Sequence, residues 1–293
     1  MKIGMNATCL KCHFNKNLKT AMSLGDEASA LAFGKDLMAL YLAAPEGVPS
    51  PWFGPGVTEL FQKHYGITEE DRFGAEKRLS NQYVLERMAR IRSQVEQQTD
   101  PVYAGLQFAI LGNYLDFSAL QDKVSFAQLD DMLDQGATIE VDRDAYAHLR
   151  RDLESGKQLL FLTDNAGEIG FDRIFAEQIA REYPQLAITF CVRGGVILND
   201  ATREDALAVG VPFPIIDNGN RIGGTQPELL GAEAKAALEA ADVVIAKGMG
   251  NVETMLGCGY NVYYAFLVKC QMFADRFQKP LMTPMLVRQR QLL

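Results

Sequence analysis

Two short polar segments contain the side chains that are best placed to do chemistry. The segment DNAGE (164–168) follows the apolar run QLLFLT, and NDAT (199–202) follows the run ITFCVRGGVIL. In an open α/β sheet, ligands bind at the carboxyl ends of the strands. Two carboxylates and an amide oxygen at that edge would suit Mg²⁺ or Mn²⁺. Asp164, Asn165 and Asp200 are therefore the candidate metal ligands.

Helix capping is the structural alternative for both segments. Asn165 and Glu168 have the spacing of a capping box, and Thr202 with Asp205 could cap a helix beginning in ATREDALAVG. A cap needs only one acceptor, whereas each segment offers two adjacent ones. The occurrence of two such segments favours metal binding, although the sequence leaves both interpretations open.

A third segment, KGMGN (247–251), ends another apolar run with a lysine and a glycine-rich turn. It is not a dinucleotide fingerprint, because Glu253 occupies the position of the third glycine and the segment follows a late strand. It also lacks the P-loop pattern. Either Lys247 is a solvated turn residue, or its charge and the adjacent backbone amides bind phosphate.

Arg193 precedes two glycines at the end of the strand that contains Cys191. An arginine offers a bidentate fork to phosphate, and glycines permit a close backbone approach. A surface turn explains this pattern nearly as well. The loop NGNRIGGT (218–225) is a further glycine-rich segment that could face the same crevice.

Cysteines near the chain start allow three interpretations. Cys9, Cys12 and His13 match the c-type haem attachment pattern, but that modification requires export, and the amino terminus has no apolar signal segment. A zinc half-site would need further ligands, such as Cys258 or Cys270. The third interpretation is that reduced cysteines pack as small hydrophobes. We expect the pair to be dispensable for chemistry at the candidate metal site, because thiolates match hard cations poorly.

Composition narrows the class of protein. The chain has 293 residues and a net charge of −8, which argues against a nucleic-acid footprint. No apolar run reaches the ~18 residues that a membrane span requires. We therefore expect a cytoplasmic protein with one large or two ordinary domains.

The pattern of apolar residues changes near residue 155. Before it, the spacing predicts helices, with 138–141 as the one possible strand; after it, strands and helices alternate. The predicted strands are 158–163, 187–193, 213–216, 242–246, 262–268 and 284–288. We predict a mainly helical amino-terminal domain (1–155) packed on a Rossmann-like three-layer α/β/α domain (156–293) with a mostly parallel sheet.

An ordered set of motifs resembles a known family. CxxC, DRFxxEKxxSN, TDPVYAGLQFAILGNYLDF, TDNAGEIGFD, VRGGVILNDATREDA, ADVVIAKGMGNVETM and FLVKC occur in this order across nearly the whole chain. The set resembles the damage-control phosphatase family, formerly domain of unknown function 89. The CxxC motif indicates its prokaryotic branch.

The resemblance implies both fold and activity. It implies a helical region on a Rossmann-like domain, and metal-dependent hydrolysis of phosphorylated metabolites, including sugar phosphates and related damaged intermediates. It places the metal on Asp164, Asn165 and Asp200, and Lys247 and Asn251 near the substrate phosphate. Glu168 and Asn113 are expected to line the crevice.

The expected enzyme is a phosphatase that uses Mn²⁺ or Mg²⁺, with Co²⁺ and Ni²⁺ as further candidates, on a small phosphorylated metabolite. The expected catalytic residues are Asp164, Lys247 and Glu168, and the expected substrate-binding residues are Asn113, Arg193, Lys247 and Asn251. Direct attack by water is preferred over attack by Asp164 to form an acyl-phosphate. The alternatives are a phosphometabolite-binding protein without turnover and a transferase on a Rossmann-like fold.

Overall fold

A six-stranded sheet forms the centre of the part of the chain that the computed structural model describes, which is residues 3–115, 126–135 and 138–291. Its strands are β1 (Gln158–Leu162), β2 (Ala187–Val192), β3 (Ile215–Asp217), β4 (Val243–Lys247), β5 (Val262–Leu267) and β6 (Pro284–Arg288). Their order is β3-β2-β1-β4-β5-β6, and only β6 runs antiparallel to its neighbour. The predicted mostly parallel sheet is confirmed.

Helices cover both faces of this sheet. They are α1 (Ala7–Leu24), α2 (Glu27–Ala43), α3 (Gly54–Tyr65), α4 (Glu69–Glu96), α5 (Pro101–Gly112), α6 (Phe126–Gln135), α7 (Arg143–Ser155), α8 (Glu168–Glu182), α9 (Arg203–Ala208), α10 (Ala232–Ala240), α11 (Gly248–Met255) and α12 (Gln271–Phe277). Asp100 caps α5 by accepting the Tyr103 amide at 2.9 Å, and Pro101 begins the helix, as the sequence indicates.

Alternation along the strands creates the three layers. Leu159 and Phe161 of β1 face a core shared with α5, α7, α8 and α9. Leu160 and Leu162 face the opposite core, which α10, α11 and α12 cover. Successive strand residues point to opposite faces, so a fully apolar strand needs helices on both sides. The predicted three-layer fold class is confirmed.

The hydrophobic cores do not divide at residue 155. Val102 and Leu106 of α5 and Leu149 of α7 belong to the same core as the sheet. Helices α1 to α3 instead enclose a smaller core of their own, which includes Phe33 and Phe61. The division into domains 1–155 and 156–293 stays a prediction.

Two other expectations concern the region before the sheet. The possible strand at 138–141 is not formed, because those residues lie outside any strand. The end of the motif GNYLDF, at 116–117, lies outside the described residues. In the ranges described, no helix is both long and apolar enough to cross a bilayer.

We predict that Gly105→Val destabilises the protein. A Cβ at Gly105 would lie 3.0 Å from the Cα of Phe175, so α5 and α8 would have to separate. We expect a loss of about 1–3 kcal/mol, because overpacking a close contact costs that much. Thermal unfolding measures it. Ala147→Val on the exposed side of α7 is the control for the branched side chain. An equal, small effect at both positions would contradict the prediction.

Candidate functional site

A cavity of about 190 Å³ lies at the carboxyl ends of the central strands. Its floor includes the three predicted metal ligands, Asp164, Asn165 and Asp200. Helices α1, α3 and α4 contribute the opposite wall. The remaining lining residues are His13, Lys16, Asn17, Ser50, Pro51, Gly54, Val57, Thr58, Glu69, Arg72, Ile197, Leu198, Asn199, Gly223, Met249, Gly250, Glu253 and Lys269.

Backbone hydrogen bonds hold the two polar segments side by side. The Ala166 amide donates to the Asn199 carbonyl at 2.8 Å, and the Ala201 amide donates to the Asp164 carbonyl at 2.7 Å. Asn165 and Asp200 thus form an isolated antiparallel bridge beyond the ends of β1 and β2. The chain places one carboxylate from each segment in the same cavity.

The capping alternative is resolved differently in the two segments. Thr202 and Asp205 form the predicted capping box at the start of α9, with the Thr202 amide 2.8 Å from Asp205 Oδ2. Asp200 is therefore not required as the cap. The Asn165–Glu168 box is not formed, because Gly167 precedes α8 without a side-chain cap and Asn165 donates its amide hydrogens to carboxylates.

Two amide groups position the Asp164 carboxylate. Asn113 Nδ2 and Asn165 Nδ2 each donate to Asp164 Oδ2 at 2.8 Å. Gly248 at the start of α11 also lies against it, since a Cβ there would be 1.9 Å from the same oxygen. The backbone of Gly248 has φ +75°, a second reason for glycine.

The candidate ligand oxygens of Asp164, Asn165 and Asp200 fit a hard divalent cation. Asn165 Nδ2 donates to both Asp164 Oδ2 and Glu168 Oε2 at 2.8 Å, which leaves its carbonyl oxygen available to a ligand. Two carboxylates and one amide oxygen match the preferences of Mg²⁺ and Mn²⁺. No group of three or more His, Cys, Asp and Glu side chains in the described ranges is arranged to hold an ion. The candidate site depends on an asparagine for its third ligand.

Lys247 lies behind the cavity instead of lining it. Its fully buried Nζ donates to the Ala109 carbonyl at 2.7 Å, to Glu168 Oε1 at 2.7 Å and to Asp172 Oδ1 at 2.6 Å. Burial alone would lower the pKa of Lys247, but the carboxylates of Asp172 and Glu168 outweigh it and raise that pKa. All three ammonium hydrogens are used, so the predicted phosphate contact does not fit this geometry. Glu168 is likewise a buried brace and not a lining residue.

Three other residues that were predicted to bind substrate are also buried behind the cavity wall. Arg193 Nε donates to Asp200 Oδ2 at 2.6 Å, and Nη2 donates to the Thr163 carbonyl at 3.1 Å. Asn251 Nδ2 donates to the Lys247 carbonyl at 2.7 Å, and Asn113 holds Asp164. The structure brings all three residues next to the two polar segments, where Arg193 and Asn113 hold the candidate ligands Asp200 and Asp164.

Five charged residues that line the cavity were not identified from the sequence. Glu69, Arg72 and Lys16 come from helices far from the sheet in sequence, and Glu253 and Lys269 follow β4 and β5. Arg72 lies in the motif DRFxxEKxxSN, Glu253 in KGMGNVE and Lys269 in FLVKC. Those motifs were the available signal, although they do not say which side chains face the cavity.

The amino-terminal cysteines form no closed site. Cys9 is partly exposed and Cys12 is exposed on α1, and all five cysteines are free thiols. His13, the last residue of the haem-like pattern, places Nδ1 2.6 Å from the Tyr41 hydroxyl. Burial, with help from Lys16, lowers the pKa of His13 to about 4, so its imidazole is neutral at neutral pH.

Comparisons with known proteins show which family the chain resembles. A family model described as the damage-control phosphatase ARMT1-like domain matches residues 5–283. A damage-control phosphatase from Archaeoglobus fulgidus is 31% identical over 73% of this chain and 75% of its own length. An uncharacterised protein from Methanocaldococcus jannaschii is 30% identical over 78% of this chain and 77% of its own.

A solved structure shows the same fold. The crystal structure of a protein of the domain-of-unknown-function-89 family from Pyrococcus horikoshii superposes with a TM-score of 0.83 and 25% sequence identity. It covers 99% of each chain. The similarity therefore includes both the sheet and the amino-terminal helices.

We predict that Lys247→Met strongly destabilises the protein. Methionine retains most of the volume but leaves the Glu168 and Asp172 carboxyl groups buried without their cation. We expect a loss of about 3–5 kcal/mol in the free energy of unfolding. Lys63→Met is the control, since Lys63 is exposed and its surface pair with Asp36 should contribute little to stability. Similar denaturant midpoints for both variants would refute the bracing role.

The pKa of Glu253 generates a pH prediction. Burial raises it from its ordinary value of 4.5 to about 7, against the opposing effect of the Ser50 amide. The folded state then binds the proton more tightly than the unfolded state, so this group reduces stability as the pH rises from 4.5 to 7. Glu253→Gln should remove that loss. Melting temperatures in EDTA should favour the variant by about 2 °C or more at pH 8 and by little at pH 4.5. A difference in melting temperature between Glu253→Gln and the parent that does not widen as the pH rises would contradict this prediction.

Proposed function

The chain belongs to the damage-control phosphatase ARMT1-like domain family, and from that membership we propose a metal-dependent phosphatase of small phosphorylated metabolites. Relatives that are named damage-control phosphatases support phosphatase activity. The observation that carries the metal-dependent proposal is that Asp164, Asn165 and Asp200 line one cavity. These are the residues that an oxygen-preferring cation would bind.

The proposed cofactor is Mn²⁺ or Mg²⁺, with Co²⁺ and Ni²⁺ as further candidates. When bound, such an ion supplies charge neutralisation at the phosphoryl group and lowers the pKa of a coordinated water. The chain prepares its ligands for this role. Asn113 and Asn165 hydrogens hold Asp164, and the buried Arg193 guanidinium holds Asp200 at 2.6 Å. Each of these contacts fixes the orientation of a candidate ligand carboxylate.

Of the two groups that the sequence suggested for phosphate binding, Lys247 and the adjacent backbone amides, we propose that the amides at the start of α11 bind the phosphate. Met249 and Gly250 belong to the first turn of that helix and line the cavity. The first amides of a helix lack intrahelical partners and suit an anion. Lys16, Arg72 and Lys269 also line the cavity and add positive charge to it.

The cavity dimensions support a small substrate. Its volume of about 190 Å³ is below the roughly 300 Å³ at which pockets for drug-sized ligands begin. A sugar phosphate or a related damaged intermediate is the substrate class that we propose. Its leaving group would face the wall formed by α1, α3 and α4.

Water is the nucleophile that we favour over Asp164. Asp164 Oδ2 already accepts two amide hydrogens, and Gly248 packs against it. Those contacts hold the carboxylate as a ligand and restrict the movement that attack on phosphorus would need. An acyl-phosphate on Asp164 is the competing route, and trapping with a phosphate mimic would detect it.

Turnover separates this proposal from a binding protein that holds the same ligand. Purified protein with Mn²⁺ should release inorganic phosphate from members of a phosphorylated-metabolite panel. The reaction should stop with EDTA and resume with added metal. Saturable binding of the same compounds without phosphate release would favour the binding protein.

We predict that Asp200→Asn abolishes most activity while the protein remains folded. Asparagine keeps the volume but removes one of the two anionic ligands, so metal affinity and phosphate release should fall at least about tenfold. The melting temperature should also fall, because Arg193 loses its buried partner.

Asp217→Asn is the matched control. Asp217 ends the neighbouring strand β3, lies outside the cavity lining and pairs with Arg203 at 3.9 Å. It should keep the parental metal dependence. A folded Asp200→Asn protein with parental activity at low Mn²⁺ would reject the metal site.

A further inference from the structure

One buried face of α4 carries polar residues that the proposed chemistry does not use. Glu69, Lys77 and Asn81 are eight and four residues apart, so they lie along the same side of the helix. Their exposures are 4%, 4% and 6%. Lys77 and Asn81 belong to the motif DRFxxEKxxSN. We refer to these three residues as the α4 ladder.

Asn81 connects the two ligand-bearing segments through a single side chain. Its Oδ1 accepts the Gly167 amide at 2.7 Å, two residues after Asn165. Its Nδ2 donates to Asp205 Oδ1 at 2.8 Å, within the capping box that follows Asp200. Both ends of the Asn81 amide are therefore engaged.

Neighbouring contacts reinforce this connection. Lys77 Nζ lies 2.9 Å from Asp205 Oδ2, and both side chains are almost fully buried. Gly167 packs directly on α4, because a Cβ there would lie 2.8 Å from the Ser80 carbonyl oxygen. Helix α4 thus contacts the first polar segment at Gly167, and it contacts the capping box after the second polar segment at Asp205.

Glu69 engages the second segment on the other side of Asp200. Its Oε2 accepts the Leu198 amide at 2.8 Å. Leu198 has φ +48°, a left-handed conformation that is unfavourable for a leucine. Arg72 anchors Glu69 through Oε1 at 2.5 Å, and its guanidinium stacks 3.9 Å from the centre of the Phe61 ring.

We propose that the α4 ladder is a positioning device that fixes the separation between Asp200 and the Asp164–Asn165 pair, and with it the affinity of the site for a divalent cation. The inference rests on the proposed metal site. The backbone bonds between the segments hold them from the sheet side, and the ladder holds them from the helical side. The sharp turn at Leu198 is kept in place by Glu69.

Stability alone does not explain the ladder. Buried charged groups such as Glu69 and Lys77 are often no more stabilising than apolar residues of the same size. Apart from Arg72 on the same helix, their partners Gly167, Leu198 and Asp205 lie within two residues of Asn165 or five of Asp200. A helix that only needed to pack there could present apolar side chains to this surface.

The test compares Asn81→Ala and Glu69→Ala with the parent and with Arg87→Ala. Arg87 is the matched control, since it also lies on α4 in a partly buried pair, with Asp130 of α6 at 2.6 Å. Titration calorimetry with Mn²⁺ alone measures the metal affinity of each folded protein. We expect Kd to rise at least about tenfold in both ladder variants, as is typical when outer-shell partners are removed. Arg87→Ala should lose stability but keep the parental Kd.

Hydrogen exchange of the metal-free proteins provides the second readout. The ladder variants should exchange faster at 164–168 and 197–206, whereas Arg87→Ala should not. Parental Kd and parental exchange in both ladder variants would overturn the proposal, as would an equal rise of Kd in Arg87→Ala.

Failure of the proposed function has a different signature. A parent that binds no Mn²⁺ refutes the metal site and the affinity part of the inference together. Hydrogen exchange then decides whether the ladder holds the two segments. If a ladder variant does not fold, the other variant supplies the result, because the two remove different contacts.

Discussion

The buried contact of Lys247 with Glu168 and Asp172 is the interaction on which the rest of the site depends. It joins the end of β4 to the first turns of α8, and the third ammonium hydrogen reaches the Ala109 carbonyl of α5. Glu168 Oε2 then accepts hydrogens from Asn113 and Asn165 at 2.8 Å, and those two amides hold Asp164. The Lys247 ammonium group therefore orients the Asp164 carboxylate without contacting it, because it fixes Glu168, which holds the two amides. Burial raises the pKa of Asp172, and the Lys247 ammonium group opposes that rise.

The site has a second constraint on its opposite side. Arg193 holds Asp200 from within the sheet layer, while α4 holds the surrounding turn from the amino-terminal helices. Both positive and negative groups are almost completely buried, so each charge is compensated by its partner instead of by water. These buried contacts explain how two loop segments can hold their polar side chains close together in a small cavity. Loops positioned by a rigid scaffold are where functional residues commonly occur.

Agreement between expectation and structure was high for the strands and poor for the position of Lys247, while the metal ligands stay a prediction. A lysine before a glycine-rich turn has the same local pattern whether it is solvated, bound to phosphate or buried in an ion pair. The deciding groups, Glu168 and Asp172, are four residues apart and thus share one face of α8. That spacing was visible in the sequence, but nothing local says that this face packs on the end of β4. The same limitation concealed Glu69, which contacts Leu198 across 129 positions in the chain.

The sequence by itself determined the alternation of strands and helices, the mostly parallel sheet and the two segments that carry Asp164, Asn165 and Asp200. These features follow from short-range periodicity and from the rule that ligands gather at strand ends. Tertiary structure decided which polar side chains face the cavity and which brace it from behind. It also decided that α1, α3 and α4 supply the opposite wall. Those outcomes depend on burial and on pairing between distant residues, because a charged side chain takes its role from the partner that remains after water is excluded.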